Sequence, residues 1–287
     1  TQTDVFGSIR HTHSNTTSLF LTNGWDKTNL FRFELAAMAS FSGGVTVPGL
    51  PQNSFSLDEH AGHLRIATTQ RGGTWPRSDP KNFLHTVRID SEAMTVVGAV
   101  ADFAPRETIQ SARFLGSTGY VVTFRQVDPL FVFDLRDPSA PRIAGELQVP
   151  GFSTYLHLLQ NGRILGMGLE DWRTPKLSLF DASNPASPQE IANVLLGSQE
   201  GYASSTALWD HHAFTYSAAL RRIAIPWSSS TTNSIRVIRE SDAGLLEAGT
   251  LELAYDQYAM RDTRTFFLDR WLYVTRPSGI QAFQLND

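Results

Sequence analysis

Phe133-Asp134-Leu135-Arg136-Asp137-Pro138-Ser139-Ala140-Pro141 lines up with Phe180-Asp181-Ala182-Ser183-Asn184-Pro185-Ala186-Ser187-Pro188, 47 residues further along the chain. Each copy follows an apolar strand and precedes another, at 142–149 and at 189–196. The chemistry suits a tight connection between antiparallel strands. Asp137 or Asn184 accepts hydrogen bonds from backbone amides two residues on, and Pro138 or Pro185 presets φ for the turn. A looser copy runs through 87–90 and then 94–100. Gly98 and Gly145 fall at the same point of their units, again 47 apart. A fourth trace is 31–35 followed by Gly44-Val45-Thr46-Val47.

Working outward, helical periodicity is nearly absent. Short β-branched and aromatic segments recur instead, at 18–21, 30–35, 63–69, 83–89, 95–100, 120–124, 130–134, 164–168, 176–181, 223–226, 234–238, 271–275 and 279–284, separated by Gly, Pro, Asn, Asp and Ser. Val121-Val122-Thr123-Phe124 and Leu130-Phe131-Val132-Phe133 are apolar on both faces, as strands are when their sheet is covered on both sides. A β-sandwich would show such strands without the repeat. Four strands in ~40–50 residues, repeated, are the mark of a β-propeller. The reading is therefore all-β: a single domain over 1–287 with about six four-stranded blades. Units fall near 1–50, 51–104, 105–151, 152–200, 201–254 and 255–287. The last shows only three strands, so the array is either incomplete or closed by an N-terminal strand near residues 4–10.

Composition narrows the function classes. Hydrophobic residues make up 41% and charged residues 18%, which supports a buried core and argues against disorder. The formal net charge of −4 gives no field that would favour nucleic acid or an anionic membrane. With no cysteine, disulfides, thiolate-bound metals and a Cys nucleophile are excluded. No run reaches the ~18–20 apolar residues of a membrane-spanning helix. The chain opens Thr1-Gln2-Thr3-Asp4, without Met or a basic-then-apolar leader, which raises the expectation that the natural protein is longer.

The stretch RFLGSTGYVVTFRQVDPLFV at 113–132 resembles a bacterial and archaeal family of secreted proteins with a C-terminal β-propeller domain, distantly related to WD repeats. NSFSLDEHAGHLRIATT at 53–69, GELQVPGFSTYLH at 145–157, KLSLFD at 176–181 and LWDHHAF at 208–214 support it. The resemblance covers roughly 15–285. It implies the fold and an exported location, secreted, periplasmic or at the cell surface, and it implies little about activity. The Gly-His and Trp-Asp marks of WD repeats do not recur at a repeat spacing here.

Several residues could carry chemistry. His11 and His13, spaced i, i+2, share one face of a strand and could offer two imidazoles to a metal, or stand as two exposed histidines. Asp58-Glu59-His60-Ala61-Gly62-His63 has metal-ligand residue types but also reads as a turn between strands. Asp210-His211-His212 holds a comparable place in a later unit, between 205–209 and 213–216. His157 falls on the innermost strand of its unit, where Asp58, His157, Asp210 and Asp256 could meet around a channel. The candidate ligands for a divalent metal are thus Asp58, His60, His157, Asp210 and His211, against the alternative of a water-filled structural channel. Arg125, in the loop before Asp128-Pro129, could face an anionic ligand or close a local salt bridge. Trp75 and Trp172 fall in polar inter-strand loops, where an exposed indole suits a carbohydrate or protein ligand and a packed one does not.

No Gly-x-Ser-x-Gly elbow, phosphate-binding loop, His-Glu-x-x-His or calcium loop is present. The first expectation is a non-catalytic binding or scaffold module that meets a protein or carbohydrate through its blade loops. A metal-dependent hydrolase or lyase with its site at the channel mouth, and a structural part of a larger secreted protein, are the alternatives.

Overall fold

The computed structural model describes residues 8–72, 78–124, 128–197, 201–256 and 259–285. Trp75 and Arg125 lie outside them. The strands form six antiparallel sheets in chain order. The first holds β1 (His11–Ser14), β2 (Ser18–Asn23), β3 (Lys27–Leu35) and β4 (Ala39–Pro48); the second holds β5 (Leu57–His60), β6 (His63–Gln70), β7 (Lys81–Ile89) and β8 (Met94–Phe103). The third holds β9 (Thr108–Leu115), β10 (Thr118–Phe124), β11 (Asp128–Asp134) and β12 (Arg142–Val149). The fourth holds β13 (Phe152–Leu158), β14 (Arg163–Glu170), β15 (Thr174–Asp181) and β16 (Gln189–Leu195). The fifth holds β17 (Thr215–Ser217), β18 (Arg222–Ser228), β19 (Asn233–Ser241) and β20 (Gly244–Leu253). Among the described residues the sixth has three: β21 (Arg264–Leu268), β22 (Trp271–Arg276) and β23 (Gly279–Gln284). Every sheet falls inside the unit expected from the repeat. Contacts divide the chain into two units, one of residues 1–149 with 184–188 and one of 150–183 with 189–287.

One device explains the repeat. In each four-stranded sheet the register between third and fourth strands slips at a matching point, after Arg32, Thr86, Val132, Leu179 and Val237, and the second sheet slips again after Asn82. Opposite these residues stand Gly43, Gly98, Gly145, Ala192 and Gly249. A Cβ on Gly98 would come 2.3 Å from the Pro138 carbonyl oxygen, and one on Gly145 would come 2.2 Å from that of Pro185. The Asp-Pro turn thus packs on the bulge glycine of the preceding repeat, and the Thr86 hydroxyl donates to the Pro138 carbonyl. The turn chemistry is as its residues require: Ser139 N–H donates to Asp137 at 2.9 Å and Ala186 N–H to Asn184 at 3.3 Å.

The cores lie between stacked sheets within each unit. Phe20, Leu30, Val47, Leu64, Ile66 and Val87 fill the space between the first two sheets. Leu84, Phe103, Phe114, Val121, Phe131 and Phe133 fill that between the second and third. In the second unit, Met167, Leu177, Leu179, Ile223, Ile225 and Trp227 join the fourth sheet to the fifth, and Ala224, Ile235, Leu272 and Val274 join the fifth to the sixth. The second and fifth sheets thus carry a core on each face.

Three histidines are expected to make the first unit acid-sensitive. Burial lowers the pKa of His85 below its ordinary 6.5. Burial likewise lowers His11, helped by Arg10, and His13, where Arg65 adds to burial and Asp58 and Glu59 oppose it. His85 is buried, stacks on Phe83 at 5.6 Å, and neither ring nitrogen has a hydrogen-bond partner among the described residues. The unfolded chain therefore binds protons that the folded unit refuses. Stability is complete above the ordinary histidine value and falls as pH drops through the depressed ones. Thermal melting at pH 7.5 and 5 is expected to show a lower midpoint in acid, and H85F to shrink that difference.

Candidate functional site

Antiparallel connectivity sorts the loops. The turn between second and third strands and the connection leaving the fourth lie at the same end of a sheet, and each connection carries that end into the next sheet. In the second unit this end presents Trp172, Tyr202, Trp209 and Tyr255, exposed by 62%, 57%, 67% and 52%. Trp172 sits in the β14–β15 turn, Tyr202 and Trp209 in the β16–β17 connection, and Tyr255 in the β20–β21 connection.

Trp172 and Trp209 are set on hydrogen-bonded turns. Arg173 N–H donates to the Glu170 carbonyl at 3.0 Å, with Asp171 at φ 47 and Trp172 at φ 63. A bulky residue held left-handed is uncommon, and such strain gathers at functional positions. The indole meets Phe152 edge-on at 5.1 Å. Behind the turn, the buried Lys176 ammonium lies 3.0 Å from Glu170 and 3.2 Å from Glu190 and donates to the Pro150 carbonyl at 2.9 Å. In the long connection, Ser205 caps a 3-10 turn over Thr206–Leu208 and donates to the Pro226 carbonyl at 2.6 Å. Thr206 donates to the Met260 carbonyl at 2.7 Å. Ala207 and Leu208 are pulled into the core, leaving Trp209 outside.

Asp210 then caps a second 3-10 turn, His211–Ala213, by accepting from His212 N–H at 3.0 Å. The same carboxylate oxygen lies 2.9 Å from His212 Nδ1, and the other accepts from Arg264. Burial pushes the Asp210 pKa up. The His212 side-chain and backbone hydrogen bonds and the Arg264 and His212 charges outweigh it, so the group sits below the usual value. The His211 ring stacks on Tyr155 at 5.9 Å, and the rings of His211 and His212 are 3.9 Å apart.

The sequence candidates separate accordingly. His157 is on β13, the first strand of its sheet, as expected, beside Tyr155, Phe214 and Tyr216. Asp210 and His211 come together with His212, which the ligand set had omitted although it is the next residue. Asp58 is not a turn residue: it lies within β5 opposite Arg65 and forms an ion pair with that buried guanidinium. His60 ends β5 opposite His63 across the Ala61-Gly62 turn. Asp58 and His60 belong to the first unit and the other three to the second. Residues 205–209, read as a strand, form the capped 3-10 turn instead, because the Ser205 side chain bonds the backbone locally. Trp209, Tyr202, Tyr255 and Arg264 were missed as site residues. In the first unit, a cavity of about 550 Å³ is lined by Arg136, Arg142 and Asn184, but both guanidiniums are bound to Asp134 and hold its carboxyl well below the usual range.

Comparison with known proteins agrees with this geometry. A family model described as a β-propeller domain matches residues 1–287. The chain belongs to that family. A protein of Archaeoglobus fulgidus described as uncharacterized is 34% identical over 266 residues, covering 91% of this chain and 38% of the relative. Another so described, from Methanocaldococcus jannaschii, is 31% identical over 272 residues, covering 93% and 40%. The propeller chain thus spans about two fifths of the length of the curated relatives it matches. Among solved structures, a Lactobacillus plantarum protein superposes with a TM-score of 0.55 at 11% identity, over 90% of this chain and 74% of its own. A europium-containing methanol dehydrogenase superposes at 0.53 and 7%, over 88% and 53%. At such identities the likeness concerns the fold alone. No helix among the described residues is long and apolar enough to cross a membrane.

Proposed function

We propose that this β-propeller is a non-catalytic binding module of an exported protein, and that it takes a protein or carbohydrate partner on the loop end of its second unit. The observation that carries the reading is the set of four exposed aromatics at one end, with Trp172 and Trp209 on hydrogen-bonded turns and Trp172 left-handed. Rigid exposed indoles offer a large contact area at little entropic cost, and they dominate binding energy where they occur. The sequence resemblance supports export, and fractionation of the source cells would test it.

The binding reading is tested by titrating the intact protein with a panel of oligosaccharides and by capture of envelope proteins, using wild type, W172A and W209A. Each variant is expected to weaken binding about tenfold or more. R136A, on the opposite kind of turn between third and fourth strands, is expected to leave it unchanged. Equal binding by all four proteins would exclude this end as the contact surface.

A further inference from the structure

We infer that Asp210, His211 and His212 form a binding site for a borderline divalent transition-metal ion such as zinc. This does not depend on whether the aromatic loops take a carbohydrate or a protein. Each of the three residues offers one ligand atom, and these atoms lie within 4.8 Å of one another. Tetrahedral zinc with bonds of about 2.0–2.2 Å needs ligand atoms roughly 3.4 Å apart. Small side-chain rotations close that gap, and His212, 71% exposed, has room to make them.

The backbone beneath is already fixed. Asp210 caps the turn, Ala213 N–H donates to the Asp210 carbonyl at 3.0 Å, and Phe214 N–H donates to that of His211 at 3.1 Å. Tyr155, tilted 23° from the His211 ring, holds that imidazole in orientation. Arg264 fixes one carboxylate oxygen and leaves the other on the histidine side. Two neutral imidazoles and one carboxylate suit a borderline ion better than calcium or magnesium, which prefer all-oxygen shells. Three protein ligands leave a position for solvent or for a donor from a partner. The guanidinium also opposes a second positive charge nearby, so the affinity is expected to be micromolar rather than nanomolar.

Calorimetric titration with Zn²⁺, and Co²⁺ titration followed by its visible absorption, test the site in the intact protein. Wild type is expected to bind one ion with a tetrahedral Co²⁺ spectrum. H211A and H212A should each weaken binding about tenfold or more, while H11A/H13A should not. R264Q should tighten it, because it removes the cation that competes for Asp210. Circular dichroism checks that each variant is folded, and the exposed position of His212 makes H212A the decisive one. Absence of binding up to about 1 mM, or binding unchanged in H212A, would overturn the assignment.

Discussion

Replacing Gly145 by alanine is expected to destabilise the first unit by about 3 kcal/mol. The added Cβ would lie 2.2 Å from the Pro185 carbonyl oxygen, 3.0 Å from the Ala186 carbonyl carbon and 3.0 Å from Pro188 Cδ. Two of these atoms are backbone and the third belongs to a stiff ring, so none can turn aside. The turn of residues 184–188 must lift off the bulge, or the bulge must flatten. Gly249 holds the equivalent position of the fifth sheet, and nothing lies within 4 Å of the Cβ it would carry. Gly249→Ala is therefore expected to be neutral or to stabilise by about 0.4–1 kcal/mol, through the unfolded chain. Denaturant unfolding of both variants checks the contrast: the midpoint should fall for G145A, with unchanged slope, and hold or rise for G249A. Equal losses would mean that bulge geometry, rather than the packed turn, selects glycine.

Glu240→Ala is expected to cost the second unit about 2–3 kcal/mol. The Glu240 side chain is 4% exposed and accepts from Arg221 at 2.8 and 2.7 Å and from Arg163 at 3.1 Å. Removing the carboxylate leaves two guanidiniums facing each other with only the exposed Asp242 carboxylate, 3.6 Å from Arg163 and 2.8 Å from Arg221, to balance them. Arg163 opens β14 of the fourth sheet while Glu240 lies near the end of β19 of the fifth, so the loss falls on the seam between them. The Arg221 hydrogen bonds, against the opposing effect of burial, lower the Glu240 pKa, with the charges of Arg221 and Arg163 and the Tyr216 hydroxyl adding to the shift. The stability it contributes is present above the ordinary carboxylate value and is lost as pH falls through the depressed one. The gap between wild type and E240Q in denaturant midpoint should accordingly be widest near neutrality and narrow in strong acid.

What the sequence made legible was what local chemistry controls. The run 121–124 predicts a strand buried on both faces, and β10 is one. Arg142–Val149 and Gly279–Gln284 match to the residue, because turn residues bound them on the inner side. Strands with polar ends were underestimated. Lys27, Thr28 and Asn29 belong to β3 because the ladder continues to Pro48, Val47 and Thr46, which no apolar pattern announces. Residues 205–209 end in the apolar run Ala207-Leu208-Trp209, and the Ser205 cap folds that run into a 3-10 turn rather than a strand.

The site was half legible for the same reason. Trp172 stands out as an aromatic between turn residues, and Asp210 and His211 as adjacent ligand types. Arg264, which pairs with Asp210, is 54 residues away in sequence and reaches it only through the packing of the sheets. The Arg65 partner of Asp58 emerges only once the β5–β6 register pairs the two positions.

On the proposed function, the loop end of the second unit is the contact surface. The intact protein, nitrogen-labelled, can be titrated with an oligosaccharide or envelope protein recovered in the binding screen while its six tryptophan indole N–H signals are followed. The signals of Trp172 and Trp209 are predicted to move together and to saturate. That of Trp227, buried and donating to the Leu196 carbonyl at 2.7 Å, should stay in place. Movement confined to Trp25 or Trp271, with Trp172 and Trp209 unmoved at saturation, would contradict the account.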